Sequence, residues 1–88
     1  MTKTPAWAGR ARVVMLGRPG CHLCEDAWEA IGAVTAETGA SRAEVSLDEV
    51  AEADREEYWE KIPVTFVDGV RHDFWRVDDD RLRAALKG

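Results

Sequence analysis

Apolar residues follow two different periods along this chain, and the switches between them mark its elements. Arg12 to Leu16 is a short Val-rich run, which predicts a strand buried on both faces. It stops at Gly17-Arg18-Pro19-Gly20, a cluster of turn residues. From Cys21 to Thr38 the period changes. Leu23, Ala27, Ala30, Ile31 and Val34 recur at helical spacing, while Glu25, Asp26, Glu29 and Glu37 fall mostly elsewhere. Gly39 is placed to close this helix. Arg42 to Leu47 alternates, with Ala43, Val45 and Leu47 on one face, and reads as a second strand.

Asp48 to Lys61 predicts a short helix that ends before Ile62-Pro63. Either Asp48 or Asp54 is placed to cap it, and Asp54-Arg55-Glu56-Glu57 has the form of a capping box. Val64 to Val67 is a strand, Asp68-Gly69 a two-residue hairpin turn, and Val70 to Trp75 the returning strand. Asp78 or Asp79 then caps a last helix whose inner face is Leu82, Ala85 and Leu86.

The predicted order is β-α-β-α-β-β-α. A right-handed crossover makes the first two strands parallel, and the hairpin makes the last two antiparallel. The fold class is therefore α/β, a four-stranded mixed sheet flanked by helices. Residues 1–10 carry no periodic pattern and are expected to form a flexible tail, leaving 11–88 as one domain. Trp7 either packs back on that domain or stays exposed. In sheets of this kind ligands sit beyond the carboxyl ends of the parallel strands, where the segment starting at Cys21 lies.

Charge narrows the partners. The net charge is −5 with acids and bases interspersed, which argues against nucleic acid and anionic membrane surfaces. Asp78-Asp79-Asp80 reads as a solvated helix start rather than a metal site. The longest continuous apolar run before Gly17 is Val13 to Leu16, too short for a secretory core or a membrane span. A cytoplasmic location is expected, where a close cysteine pair is catalytic or metal-binding rather than a structural staple.

The chain has two cysteines, Cys21 and Cys24, a spacing that chance would give roughly one time in fifty. At the start of a helix, residues three apart face the same way and can pass between dithiol and disulfide with little backbone movement. Cys21 stands at the helix N-terminus, where unpaired N–H groups and the macrodipole stabilise a thiolate. That makes Cys21 the expected nucleophile and Cys24, one turn deeper, the resolving thiol. Arg18 adds a positive charge nearby, and Glu25 and Asp26 oppose it. His22 either tunes the thiolate or is a solvated loop residue. A zinc site needs four ligands, and His22 and His72 are the only histidines available; no metal is expected.

On these residues the chain resembles the glutaredoxins, specifically the small glutaredoxin-like proteins of bacteria, over residues 12 to 87. Arg18-Pro19-Gly20-Cys21-His22-Leu23-Cys24 after a strand resembles the family's Lys-Pro-x-Cys-x-x-Cys segment, and Ile62-Pro63-Val64 resembles its Val-Pro pair. The resemblance implies a thioredoxin-like fold of glutaredoxin type, with Pro63 cis and beside the cysteines. Such a proline leaves the N–H and carbonyl of Ile62 free to pair with an extended thiol substrate. Classical members carry Pro and Tyr between the cysteines, where this chain has His22 and Leu23. They also carry a Gly-Gly pair before an Asp near the last helix, where glutathione's carboxylate is held. Here that stretch is Trp75-Arg76-Val77-Asp78, so Asp78 keeps the capping and amine-binding position while discrimination for glutathione is expected to be weak.

The function expected from this reading is thiol–disulfide exchange without a bound cofactor, by a monomer. Its substrates are low-molecular-weight thiols in mixed disulfides or protein disulfides, and its electron donor is glutathione or a reductase. The residues assigned to substrate binding are Arg18, His22, Ile62, Pro63 and Asp78. Two other readings stand beside it. One is a redox-inert binding module that contacts a partner through Trp59 or Trp75; the other is an iron–sulfur carrier formed by two chains and an external thiol. Turnover of a small disulfide separates the first of these from exchange, and visible absorbance after anaerobic iron and sulfide loading separates the second.

Overall fold

Val13–Gly17 (β1) is buried at every position. Only a strand with neighbours on both edges and cover on both faces can be so. The computed structural model, which describes residues 5 to 87, supplies both. β1 pairs in parallel with Arg42–Ser46 (β2) and antiparallel with Val64–Val67 (β3). Val70–Phe74 (β4) adds to β3 in antiparallel fashion, giving the sheet order β2-β1-β3-β4. This is the predicted mixed sheet.

The hairpin forms at Asp68-Gly69, whose φ values of 51° and 81° match the primed turn that suits twisted strands. A fork of two 2.9 Å hydrogen bonds from Arg12 to the Asp68 carboxylate fixes the turn against β1. The hairpin also carries a bulge: Thr65 pairs with Asp73 but Phe66 with Arg71, so His72 is the extra residue.

His22–Thr38 (α1) begins one residue later than the pattern suggests, because Cys21 is its N-cap. Gly39 ends it at φ 76°. Its buried stripe is Cys24, Ala27, Ile31, Val34 and Thr35. Asp79–Lys87 (α3) lies against α1 and buries Leu82 and Leu86, with Ala85 at the margin. Arg83 on α3 is hydrogen-bonded to Glu37 on α1. Asp78 is the cap of α3: its carboxylate accepts from Arg81 N–H at 3.1 Å and its carbonyl from Leu82 N–H at 2.9 Å.

The short middle helix, Glu52–Tyr58 (α2), departs from expectation at its start. Its N-cap is Ala51, with no side-chain cap. The capping box belongs instead to Ser46 and Glu49, around the 3₁₀ turn Leu47–Glu49. Asp54 lies inside α2 and accepts a 3.1 Å bond from the indole N–H of Trp7.

That bond corrects the expected tail. Residues 1–4 lie outside the described residues, but 5–10 are part of the domain. Ala6–Gly9 forms a 3₁₀ turn with Ala8 fully buried. Trp7 meets Phe66 edge-on at 5.1 Å and Tyr58 at 6.4 Å, and those two rings meet at 5.8 Å. Removing a packed aromatic costs about 2–3 kcal/mol when the side chain keeps some exposure. Trp7→Ala is therefore expected to lose that much stability, read from urea midpoints at unchanged slope. An unchanged midpoint would return residues 5–10 to the status of a tail. Among the described residues no helix is long and apolar enough to cross a membrane.

Candidate active site

β1 delivers the chain to the carboxyl end of the sheet at Gly17, and the Arg18-Pro19-Gly20 turn carries it into α1. Both cysteines are free thiols. They occupy different surroundings within one helical turn. Cys21 is partly exposed, and its Sγ accepts the Cys24 N–H at 3.2 Å. A sulfur thus does the work of an N-cap oxygen, satisfying one of the four N–H groups that a helix start leaves without partners. Cys24 is 3% exposed. Burial, followed by its hydrogen bond with Cys21, pushes its thiol up to about 12, against the opposing pull of the Arg18 N–H and guanidinium.

Gly17 is the third member of this arrangement, and periodicity alone does not reveal it. A Cβ at that position would stand 2.9 Å from Cys24 Sγ and 3.3 Å from Cys24 Cβ. The bare glycine backbone therefore makes the space in which the second sulfur sits. The one signal in the sequence is a glycine directly before the basic residue at the strand end, which reads as a turn and nothing more.

The other expected site residues are placed as follows. Arg18 lies next to the pair and faces Cys24 through its main chain. His22 is 97% exposed, and its Nδ1 is 3.5 Å from Glu25 Oε2; it makes no hydrogen bond to either sulfur. The Ile62–Pro63 bond is cis. β1 and β3 pair up to Leu16 opposite Val64, so Pro63 continues alongside Gly17, at the end of the sheet where the cysteines lie. The Pro63 carbonyl accepts the Trp75 N–H at 2.7 Å. Among the described residues the N–H and carbonyl of Ile62 have no hydrogen-bond partner. Asp78 stands at the start of α3 in its capping role.

Trp75 is the second residue that the sequence pattern misreads. It does not extend β4 but turns out of it at φ 63°, a conformation that non-glycine residues rarely adopt. Its indole N–H donates to the Glu60 carbonyl at 3.1 Å. With Leu23, Ala27, Ala30, Arg76 and Val77 it lines a cleft of about 290 Å³ beside the cysteine motif. His72 stays out of this group: it sits on β4 with Nε2 buried and unpartnered among the described residues, and burial lowers its pKa toward the neutral form.

Residues 12–87 match the glutaredoxin-like domain family (DUF836). The chain belongs to that family. Its relatives include the uncharacterized protein Rv0508 of Mycobacterium tuberculosis, 33% identical over 81 residues, spanning 88% of this chain and 84% of the relative. Among solved structures it is similar to protein XcR50 from X. campestris, with a TM-score of 0.68 and 31% identity over 85% of this chain and 95% of that one. The glutaredoxin from Archaeoglobus fulgidus shares the fold, with a TM-score of 0.61 at 17% identity over 99% of this chain and 98% of that one. The expected glutaredoxin-type fold is therefore the observed one.

Proposed function

We propose that this glutaredoxin-like chain is a dithiol thiol–disulfide oxidoreductase in which Cys21 attacks and Cys24 resolves. The observation that carries the reading is the asymmetry of the pair. One sulfur is accessible and receives a main-chain N–H; the other is buried with its thiol pushed up to about 12.

The Cys21 thiolate attacks one sulfur of a substrate disulfide. A bond forms between them, the substrate S–S bond breaks, and the far sulfur leaves as a thiolate. In the dithiol the Cys24 N–H faces the Cys21 sulfur at 3.2 Å, so negative charge on that sulfur has a donor when it attacks. Cys24 then loses its proton to the departing thiolate and attacks Cys21. The Cys21–Cys24 disulfide forms and the second substrate sulfur is released. The substrate gains two electrons and the protein dithiol loses two. Two molecules of a low-molecular-weight thiol such as glutathione, or a reductase, restore the dithiol. In this scheme the free N–H and carbonyl of Ile62 pair with the substrate main chain beside Pro63, and Arg18, His22 and Asp78 border the substrate. A monomer in a reducing cytoplasm suits this chemistry.

Alkylation tests the assignment directly. Cys24 is buried and protonated at neutral pH, so Cys21 is expected to react with iodoacetamide first and at lower pH. Peptide mapping of the labelled sites across pH 5 to 8 reads the order, and equal rates would sink the roles. The activity itself is tested by reduction of a model disulfide, with glutathione and its reductase and then with thioredoxin reductase. Absence of turnover with both donors would favour a binding module.

A further inference from the structure

We infer that Trp75 is a specificity-determining residue, a fixed aromatic platform for an apolar side chain next to the reacting cysteine of an extended polypeptide. This rests on the oxidoreductase reading above and names its substrate class.

The indole is held at two points. Its backbone N–H is bonded to the Pro63 carbonyl at 2.7 Å and its ring N–H to the Glu60 carbonyl at 3.1 Å. Trp75 is nevertheless 53% exposed as a residue, and it lines the same cleft as Leu23, itself 43% exposed. A large apolar ring that is hydrogen-bonded in place and uncovered loses little freedom on binding. The left-handed backbone at φ 63° adds to the case, because such a conformation in a bulky residue persists only when its surroundings enforce it, and it gathers at functional sites.

The cleft beside the ring sets the ligand's chemistry. Leu23, Ala27, Ala30 and Val77 make its walls apolar, while Asp26 and Arg76 line it with opposite charges. A strongly anionic small thiol gains no net attraction from such a lining. A polypeptide gains twice, through the unpaired main-chain groups of Ile62 and through an apolar side chain laid on Trp75.

The test compares mixed disulfides of two short peptides, one with leucine and one with aspartate beside the cysteine, and of glutathione, all carrying the same leaving thiol. The wild-type chain is expected to favour the leucine peptide by roughly tenfold in kcat/KM, the scale of one apolar contact. Trp75→Gly is expected to erase that preference through a higher KM for the leucine peptide. Glycine suits the left-handed backbone, so the thermal midpoint should stay within about 5 °C. Trp75→Phe keeps a ring and should restore part of the preference. Equal rates on both peptides, a stronger preference for the glutathione adduct, or a preference that survives in Trp75→Gly would overturn the inference. A turnover-independent readout separates it from the redox reading. Leucine peptides with serine for cysteine should shift the NMR signal of the Trp75 indole N–H. That shift without turnover of any disulfide would leave the platform standing and remove the oxidoreductase. Turnover without the shift would do the reverse.

Discussion

Cys21→Ser is expected to reduce disulfide turnover to the rate of the thiol reductant alone, while Cys24→Ser stalls the reaction at a mixed disulfide. The two outcomes differ because the two sulfurs differ. Burial, the largest cause of the raised Cys24 thiol, persists when Cys21 is replaced. Cys24 is therefore a poor first nucleophile toward an external disulfide, and its 3% exposure bars a protein disulfide from reaching it; its attack is confined to the adjacent Cys21 sulfur. Serine at position 21 preserves the cap, since a hydroxyl oxygen accepts the Cys24 N–H at least as well as sulfur does. A loss of activity then reports lost nucleophilicity and not a frayed α1. In Cys24→Ser the first attack proceeds, but no internal thiol completes it. Mass spectrometry of the intact chain should find one equivalent of substrate on Cys21, released on adding excess external thiol. Activity retained in Cys21→Ser, or adducts on Cys24 in the wild type under limiting substrate, would reverse the assignment.

What made this site legible was local. The cysteine spacing, the glycine and proline before it, the Asp68-Gly69 turn and the helical stripe of α1 each depend on neighbours within a few residues, and each lies where its pattern places it. What stayed illegible depends on distant partners. Trp7 is held by Asp54, 47 positions away, and no periodicity in a four-residue 3₁₀ turn announces that. Asp54-Arg55-Glu56-Glu57 has a capping-box form, but Ser46 and Glu49 claim that role because the chain needs its cap where β2 ends. Trp75 enters a left-handed conformation that its own propensity opposes; its two hydrogen bonds to Pro63 and Glu60 decide the matter. The bulge at His72 likewise belongs to the pairing of two strands rather than to either one.

The space around Cys24 leads to the second large effect, at a residue that touches no substrate. Gly17→Ala is expected to slow the resolving step by tenfold or more while the first attack by Cys21 proceeds. An alanine Cβ would meet Cys24 Sγ at 2.9 Å, Cys24 Cβ at 3.3 Å and Met15 Cε at 3.3 Å. The methionine end can swing away. The cysteine cannot, because its Cβ is one bond from the backbone of α1. Either the first turn of α1 moves off β1 or the Cys24 side chain leaves its rotamer, and both turn the second sulfur from its line of attack on Cys21. Misplacement on the order of 1 Å costs about 10²-fold in a reaction that relies on alignment. The overpacking itself costs about 1–3 kcal/mol of stability, so turnover alone would not distinguish mispositioning from partial unfolding. The distinguishing readout is the mixed disulfide, which accumulates on Cys21 in Gly17→Ala below its melting range, as it does in Cys24→Ser. In the Cys24→Ser background, where resolution is already lost, adding Gly17→Ala should leave the single-turnover rate of adduct formation within about twofold, the additivity expected of a residue that acts only through Cys24. A Gly17→Ala chain that turns over at the wild-type rate with no trapped adduct would show that the strand end yields, and that Gly17 has no part in placing the second sulfur.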